Sequence, residues 1–283
     1  MILGAAGKTG LAVIKALVSI GDHPRALVRN TAQLNRALMY GARSVMTGDL
    51  AEPDSLARAM EGARTVYAIF PNIHPDEFGL AALAMQAAQD AGVERFVYHS
   101  VLHPQNAAMP HHLQKSRVEE RLLESGMNYT ILQPTAYMQN IIGYSESILN
   151  EGKFAIPYDV SAKIGMVDLA NVATVAAQVL TNSGHNSATY ELAGGEILDQ
   201  DEIAQQIGKT IKREVVAEAV SRTEWEKNAR ASGLGEYQVN TLLRMFQYYE
   251  EFGFSGNPET LTELLGHEPT TFAEFCRRDL KRW

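Results

Sequence analysis

Short apolar runs alternate with longer segments of helical periodicity over the first half of the chain. Six runs predict strands, at residues 1–3, 25–28, 44–46, 65–70, 95–100 and 129–132. Five segments between them predict helices, at residues 9–19, 31–40, 53–60, 77–91 and 114–125, each ending near a glycine. Such alternation is typical of repeated βαβ units. We therefore predict an α/β fold with a doubly wound parallel sheet.

The rhythm changes after residue 134. Residues 153–156 and 188–192 predict strands, residues 167–181 predict a strand end followed by a helix, and the remainder is mostly helical. Asp199 and Glu202 predict a capping box for a helix that ends at Ile207, before Gly208. Thr271 and Glu274 predict a second capping box for the last helix. Because of this change we predict one domain over 1–134 and a smaller, mostly helical α+β region over 135–283, parts of which interleave with the first.

Composition narrows the function classes. The 283 residues are 46% hydrophobic and 20% charged, as in an ordinary globular protein. The net charge of -8 argues against a general nucleic-acid surface. Cys276 is the only cysteine, which excludes an intrachain disulfide and a thiolate metal cluster. Without an apolar run of about 18 residues or a secretory signal, we expect a cytoplasmic protein with no membrane partner.

A start codon placed too late, or a trimmed terminus, would explain the short first strand.

A glycine-rich loop carries the strongest functional signal. Gly4, Gly7 and Gly10 follow the first predicted strand, and Lys8 and Thr9 lead into an amphipathic helix. In a Rossmann-type domain such glycines allow a sharp turn, a close approach to a pyrophosphate and tight packing of helix on strand. A tight turn without a ligand is the alternative. The position between strand and helix favours a dinucleotide site, so we predict that 1–134 is a Rossmann domain and 135–283 is its substrate side.

The ends of the second and third strands predict the choice of dinucleotide. NAD enzymes place Asp or Glu after the second strand, whereas Arg29 stands there in this chain. A guanidinium suits a 2′-phosphate, so NADP(H) is favoured over NAD(H), with an exposed surface arginine as the alternative. Asp49 could accept a hydrogen bond from the adenine amino group while Leu50 lies against the ring. The other interpretation of Asp49 is a residue that starts the helix before Pro53.

Several motifs together resemble the NmrA-like family of atypical short-chain dehydrogenases, which includes quinone reductases, triphenylmethane dye reductases and NADP-sensing regulators. They are GAAGKTG at 4–10, LVRN at 27–30, GDL at 48–50, AGVERFVYHS at 91–100, YTILQPTAYMQN at 129–140, MVDLANVA at 166–173 and LTELLGHEPTTFAEF at 261–275. The resemblance implies a nicotinamide near the ends of the fourth and fifth strands. It also implies these cofactor or substrate neighbours: Phe70, Pro71, Asn72, Ser100, Lys115, Gln133, Pro134 and Tyr137.

One departure limits what the resemblance implies about catalysis. Ordinary short-chain dehydrogenases use Tyr-x-x-x-Lys, but His111 stands four residues before Lys115. Without the tyrosine, which exchanges a proton with the substrate oxygen, oxidation of secondary alcohols is disfavoured. A quinone or cationic dye can accept hydride and take any proton from water or a nearby histidine. Lys115 then either bonds the nicotinamide ribose or is an exposed lysine paired with Glu119 at i,i+4. His111, Lys115 and Tyr137 are the candidate catalytic residues.

Other constellations carry less weight. His99, His103, His111 and His112 lack the carboxylate or cysteine pattern of a metal site, so we predict no metal. Ser100 has no G-x-S-x-G elbow, which disfavours hydrolase chemistry. The aromatic run at 246–254 could roof a substrate pocket, but this spacing is more often core or dimer contact.

The sequence therefore predicts an NADPH-dependent reductase of quinonoid or aromatic dye acceptors. The alternative is a catalytically silent NADP(H) sensor that acts through a protein partner. Direct nucleic-acid binding is expected in neither case, and both are compatible with a homodimer.

Overall fold

The computed structural model describes residues 1–281 and 283. The chain divides into two compact units. The first comprises residues 1–105, 111–133 and 172–190, and the second comprises residues 106–110, 134–171 and 191–283. Within the described chain no helix is long and apolar enough to cross a membrane.

The first unit is built around a parallel sheet. Its strands are β1 (Ile2–Leu3), β2 (Arg25–Val28), β3 (Ser44–Thr47), β4 (Thr65–Ala68), β5 (Arg95–His99) and β6 (Tyr129–Pro134). A seventh strand, β10 (Ala188–Leu192), completes the order β10-β6-β5-β4-β1-β2-β3. The pairs among β1 to β6 are parallel. The strand order reverses between β1 and β4, where ligands bind in sheets of this kind.

Helices cover this sheet. They are α1 (Lys8–Ser19), α2 (Thr31–Met39), α3 (Pro53–Met60), α4 (Glu77–Asp90), α5 (Pro110–Leu123) and α7 (Leu169–Thr181). A core cluster joins apolar side chains of β4 and β5 to those of α3, α4 and α5. Strands buried on both faces read as continuous apolar runs, which is why their positions were predictable.

The second unit holds two small sheets and the remaining helices. One sheet has the order β11-β9-β7 and the other pairs β12 with β8. The strands are β7 (Ala136–Tyr137), β8 (Lys153–Ile156), β9 (Ile164–Val167), β11 (Ile197–Leu198) and β12 (Val216–Ala219). The α-helices are α6 (Ser145–Glu151), α8 (Gln200–Ile211), α9 (Arg222–Ala231), α10 (Glu236–Phe252), α11 (Glu259–Leu265) and α12 (Phe272–Phe275); a 3₁₀ helix covers Met138–Tyr144 and a π-helix covers Cys276–Leu280.

The predicted α/β fold with a parallel sheet is confirmed, and both predicted capping boxes are present. Two details differ. The helix after Asp199 continues to Ile211, because the left-handed residue that ends it is Lys212, with φ +57°, and not Gly208. Helix α5 begins at Pro110 rather than residue 114, since proline at the first helical position needs no donor partner.

Candidate functional site

Two of the three loop glycines are required by the fold itself. Gly4 has φ +69°, and a Cβ there would lie 2.4 Å from the Ile69 carbonyl oxygen after β4. A Cβ on Gly10 would lie 2.6 Å from the Ala5 Cα. These glycines make the sharp turn and the tight packing of α1 that the sequence predicted.

Gly7 is different, because the fold does not need it. Its φ is -73°, it is exposed, and a Cβ there would meet only the Gly4 oxygen at 3.5 Å. It is also the N-cap of the 12-residue helix α1 and makes no side-chain cap hydrogen bond. Open space beside an uncapped helix N-terminus, at the strand ends where the sheet order reverses, fits a pyrophosphate. Lys8 is exposed at this end of the helix, and Thr9 is buried.

Arg29 lies at the end of β2, as predicted. Its backbone N–H donates to the Gln33 side chain at 2.8 Å, and Asn30 caps α2 through the Gln33 N–H. The Arg29 side chain is exposed, and among the described residues its guanidinium has no hydrogen-bond or ion-pair partner. A guanidinium held at a strand end with all its donors unused fits a phosphate.

Asp49 is exposed after β3, and its Oδ1 accepts the Ala51 N–H at 2.9 Å. The N-cap of α3 is Glu52, so the interpretation of Asp49 as the helix start is wrong. The aspartate closes a local turn instead. Leu50 is half-buried against the core cluster.

The segment after β4 combines a buried aromatic residue with backbone strain. The Phe70 ring is buried 6.1 Å from the Tyr98 ring centroid, whereas Pro71 and Asn72 are exposed. Ile73 follows them, buried, with φ +54°. A β-branched residue in this conformation is strained, and such strain concentrates at functional sites.

Lys115 is buried in an ion pair that the sequence analysis missed. Its Nζ donates to Glu77 Oε1 at 2.7 Å, and the two side chains are only 9% and 1% exposed. Tyr98 donates its hydroxyl to the same oxygen at 2.8 Å, and the His99 carbonyl lies 3.4 Å from Nζ. The alternative of an exposed lysine paired with Glu119 is therefore wrong, because this face of α5 is buried and α4 supplies the partner.

Glu119 has neutral partners instead. Ser100 donates its hydroxyl to Glu119 Oε1, and Gln133 Nε2 lies 2.9 Å from each carboxylate oxygen. Burial raises the pKa of Glu119, although the hydrogen bonds from Ser100 and Gln133 oppose the rise. Both Ser100 and Gln133 are buried near the carboxyl ends of β5 and β6.

The histidines near the site are buried and neutral at pH 7. Burial lowers the pKa of His99 and of His111 to about 3, and that of His112 to about 4. His99 Nδ1 lies 2.6 Å from the Tyr67 hydroxyl, and His112 Nδ1 lies 3.0 Å from the His103 carbonyl oxygen. His111 Nδ1 is buried, and no group of the described residues forms a hydrogen bond with it. Over residues 1–281 and 283 no group of three His, Cys, Asp or Glu side chains could hold a metal ion.

In the second unit, Pro134 is buried at the end of β6 and Tyr137 is half-buried in β7. The aromatic run on α10 contributes to the core of this unit. Phe246 is buried with its ring centroid 4.7 Å from that of Trp225, and Tyr249 stacks on Phe254 at 5.4 Å.

Comparison with known proteins agrees with this geometry. The chain is 29% identical over 283 aligned residues to an NAD(P)H azoreductase of Xenophilus azovorans, covering 98% of this chain and 96% of the relative. It superposes on an NADPH complex of the NADPH-dependent quinone oxidoreductase of Escherichia coli with a TM-score of 0.84, at 26% identity and 98% coverage of both chains. It superposes on the NADP(H) complex of a Citrobacter sp. triphenylmethane reductase with the same score and coverage, at 25% identity. A profile of the NmrA-like family matches residues 1–276. The chain therefore belongs to the NmrA-like family.

Proposed function

We propose that this protein is an NADPH-dependent reductase that delivers hydride to quinone-like or aromatic dye acceptors. The observation that carries the proposal is the loop at Gly7, which is open beside an uncapped helix N-terminus and needs no glycine for folding. A glycine that folding does not require, beside free backbone N–H groups at a helix N-terminus, suits a bound pyrophosphate. Relatives that reduce azo, quinone and triphenylmethane compounds support the acceptor class.

Different residues of the first unit would contact different parts of the cofactor. The loop amides of 7–10 would hold the pyrophosphate and Arg29 the 2′-phosphate, while Asp49 and Leu50 would contact the adenine. Phe70, Pro71, Asn72, Ser100 and Gln133 would surround the nicotinamide, and Lys115 would reach its ribose. When bound, the reduced nicotinamide supplies the hydride, and the protein supplies position and electrostatics.

The missing tyrosine restricts the acceptor. His111 occupies its position and is neutral, since burial lowers the pKa of its imidazole to about 3. Acceptors with an electron-poor centre suit such a site better than secondary alcohols. Pro134 and Tyr137 remain predicted neighbours of cofactor or substrate.

The test is a panel of quinones, azo dyes and triphenylmethane dyes incubated with NADPH or NADH while the absorbance of the reduced nicotinamide is followed. Acceptor-dependent oxidation, faster with NADPH, is expected. Tight NADPH binding by calorimetry without turnover of any acceptor would contradict a reductase and favour the NADP(H) sensor that acts through a protein partner.

A further inference from the structure

Quinone reduction requires a proton donor as well as a hydride donor. Hydride delivery to a quinone leaves negative charge on a carbonyl oxygen, which needs one proton. A general acid held at that oxygen contributes about 100-fold to 10,000-fold in rate. The usual tyrosine is absent. His111 is uncharged at neutral pH and a poor proton donor, because burial lowers the pKa of its imidazole to about 3. The inference below rests on the proposed function.

Glu119 is a half-buried acid of this region, and among the described residues no cation contacts its carboxylate. Its carboxylate accepts hydrogen bonds from the Ser100 hydroxyl and the Gln133 side-chain amide. The amide nitrogen lies 2.9 Å from each carboxylate oxygen. Partial burial disfavours the charged form of a carboxylate, and it raises the pKa of Glu119 although both hydrogen bonds oppose the rise. Glu119 is therefore protonated more readily than an exposed glutamate.

The charged groups that face Glu119 do not cancel this effect. Lys115, one turn earlier on α5, lowers the pKa of Glu119 by its charge, but its ammonium is bound to Glu77 at 2.7 Å. Tyr98 on β5 donates a hydrogen bond from its hydroxyl to Glu77, and burial raises the pKa of Tyr98 well above the usual value, so it is a poor proton donor. What connects Glu119 to the end of β5 is the Ser100 hydroxyl.

We propose that the Ser100 hydroxyl passes a proton to the oxygen of a carbonyl acceptor and that Glu119, acting through Ser100, positions and replaces that proton. The acceptor is reduced by the two electrons of the hydride, and the nicotinamide is correspondingly oxidised. The Ser100 O–H bond breaks as the new O–H bond forms on the acceptor. The Glu119 carboxyl proton moves to Ser100 Oγ, and the carboxylate regains a proton from solvent. Ser100 is the catalytic residue in this step and Glu119 is a positioning residue.

Two acceptors of different proton demand test the relay in one enzyme. A quinone needs one hydride and one proton, whereas a cationic triphenylmethane dye becomes neutral on hydride addition alone. In Glu119→Gln and in Ser100→Ala, we expect kcat for 1,4-naphthoquinone to fall at least tenfold more than kcat for the dye. In Glu119→Gln the KM for NADPH should stay within about threefold of wild type. Glu120→Gln, at the exposed neighbour on the same helix, is the matched control and should change neither rate.

The second readout needs no cofactor. The carboxyl stretch of Glu119, identified in infrared difference spectra of the nucleotide-free protein by its loss in Glu119→Gln, should titrate above the range of an exposed glutamate. Because the Ser100 hydrogen bond favours the charged form, Ser100→Ala should move that titration higher still. The pH profile of quinone reduction should follow the same titration, and that of dye reduction should not.

Equal losses for quinone and dye, or a carboxyl that titrates like an exposed glutamate, would overturn the relay. A wild-type enzyme that reduces neither acceptor would instead contradict the proposed function. The activity of the wild type thus tests the proposed function, and the variants test the relay.

Discussion

Replacing Lys115 with methionine removes one half of a buried ion pair. Among the described residues, the Tyr98 hydroxyl is then the one remaining side-chain donor to Glu77. With side chains 9% and 1% exposed, solvent cannot compensate the remaining charge. Breaking such a pair by removing one partner costs about 3 to 5 kcal/mol. The exposed i,i+4 pair suggested by the sequence would cost only about 0.3 to 0.5 kcal/mol. The loss in unfolding free energy on removing this lysine is therefore roughly tenfold larger for the buried pair than for the exposed pair.

Urea unfolding followed by circular dichroism measures the difference. With a slope of about 2 kcal/mol per molar urea, Lys115→Met should lower the midpoint by about 1.5 to 2.5 M. Glu77→Gln with Lys115→Met removes both charges and should recover much of the loss, giving a coupling free energy above about 2 kcal/mol. Arg64→Met is the control, because its pair with Glu94 is 84% and 64% exposed and should contribute under about 1 kcal/mol. A loss below about 1 kcal/mol for Lys115→Met would refute the argument.

Three further predictions test the cofactor loop, the cofactor choice and the buried histidines. Gly7→Val should abolish NADPH binding in calorimetry while the protein stays folded, whereas Gly10→Val should unfold it; unchanged affinity in folded Gly7→Val would exclude this loop as the phosphate site. Arg29→Ala should weaken NADPH binding about tenfold to a hundredfold and leave NADH binding nearly unchanged, and equal losses would exclude a 2′-phosphate contact. Since the folded-state pKa of His111 is lowered to about 3, its contribution to stability is fully present above pH 6.5 and falls as the pH drops toward 3. In His111→Phe the slope of stability against pH between 6 and 4 should decrease by up to about 1.4 kcal/mol per unit, and an unchanged slope would show that His111 titrates normally.

The sheet and the loop could be predicted because their causes are local in sequence. Buried parallel strands demand continuous apolar runs, so β2, at Arg25–Val28, matched its predicted bounds. Gly10 follows the same logic, since a Cβ there would meet Ala5 in the same loop, whereas the contact of Gly4 with Ile69 after β4 is tertiary. The seventh strand, at Ala188–Leu192, was predicted as a strand, but its place beside β6 follows from tertiary pairing that no local pattern encodes.

The polar partners near β5 could not be predicted in this way. Glu77 is the first residue of α4, where an acidic residue ordinarily complements the helix dipole at the surface. Only its tertiary contacts with Lys115 and Tyr98 show that it is buried. The spacing of Lys115 and Glu119 suggested a helical ion pair, because four residues separate neighbours on one helix face. Burial overrides that preference, since a lysine turned into the protein needs a buried carboxylate.

These changes of partner explain why a chain that lacks the usual tyrosine can still have an organised proton path. Because Glu77 takes the lysine, Glu119 has no cation and keeps a pKa raised by burial. Had Lys115 paired with Glu119, the carboxylate would be stabilised in its charged form and could not return a proton to Ser100. The Lys115–Glu77 pair therefore has a consequence beyond stability. In the Glu77→Gln and Lys115→Met double variant, the loss of the Lys115 charge should move the Glu119 carboxyl titration to higher pH. A titration that stays in place would show that the two carboxylates act independently.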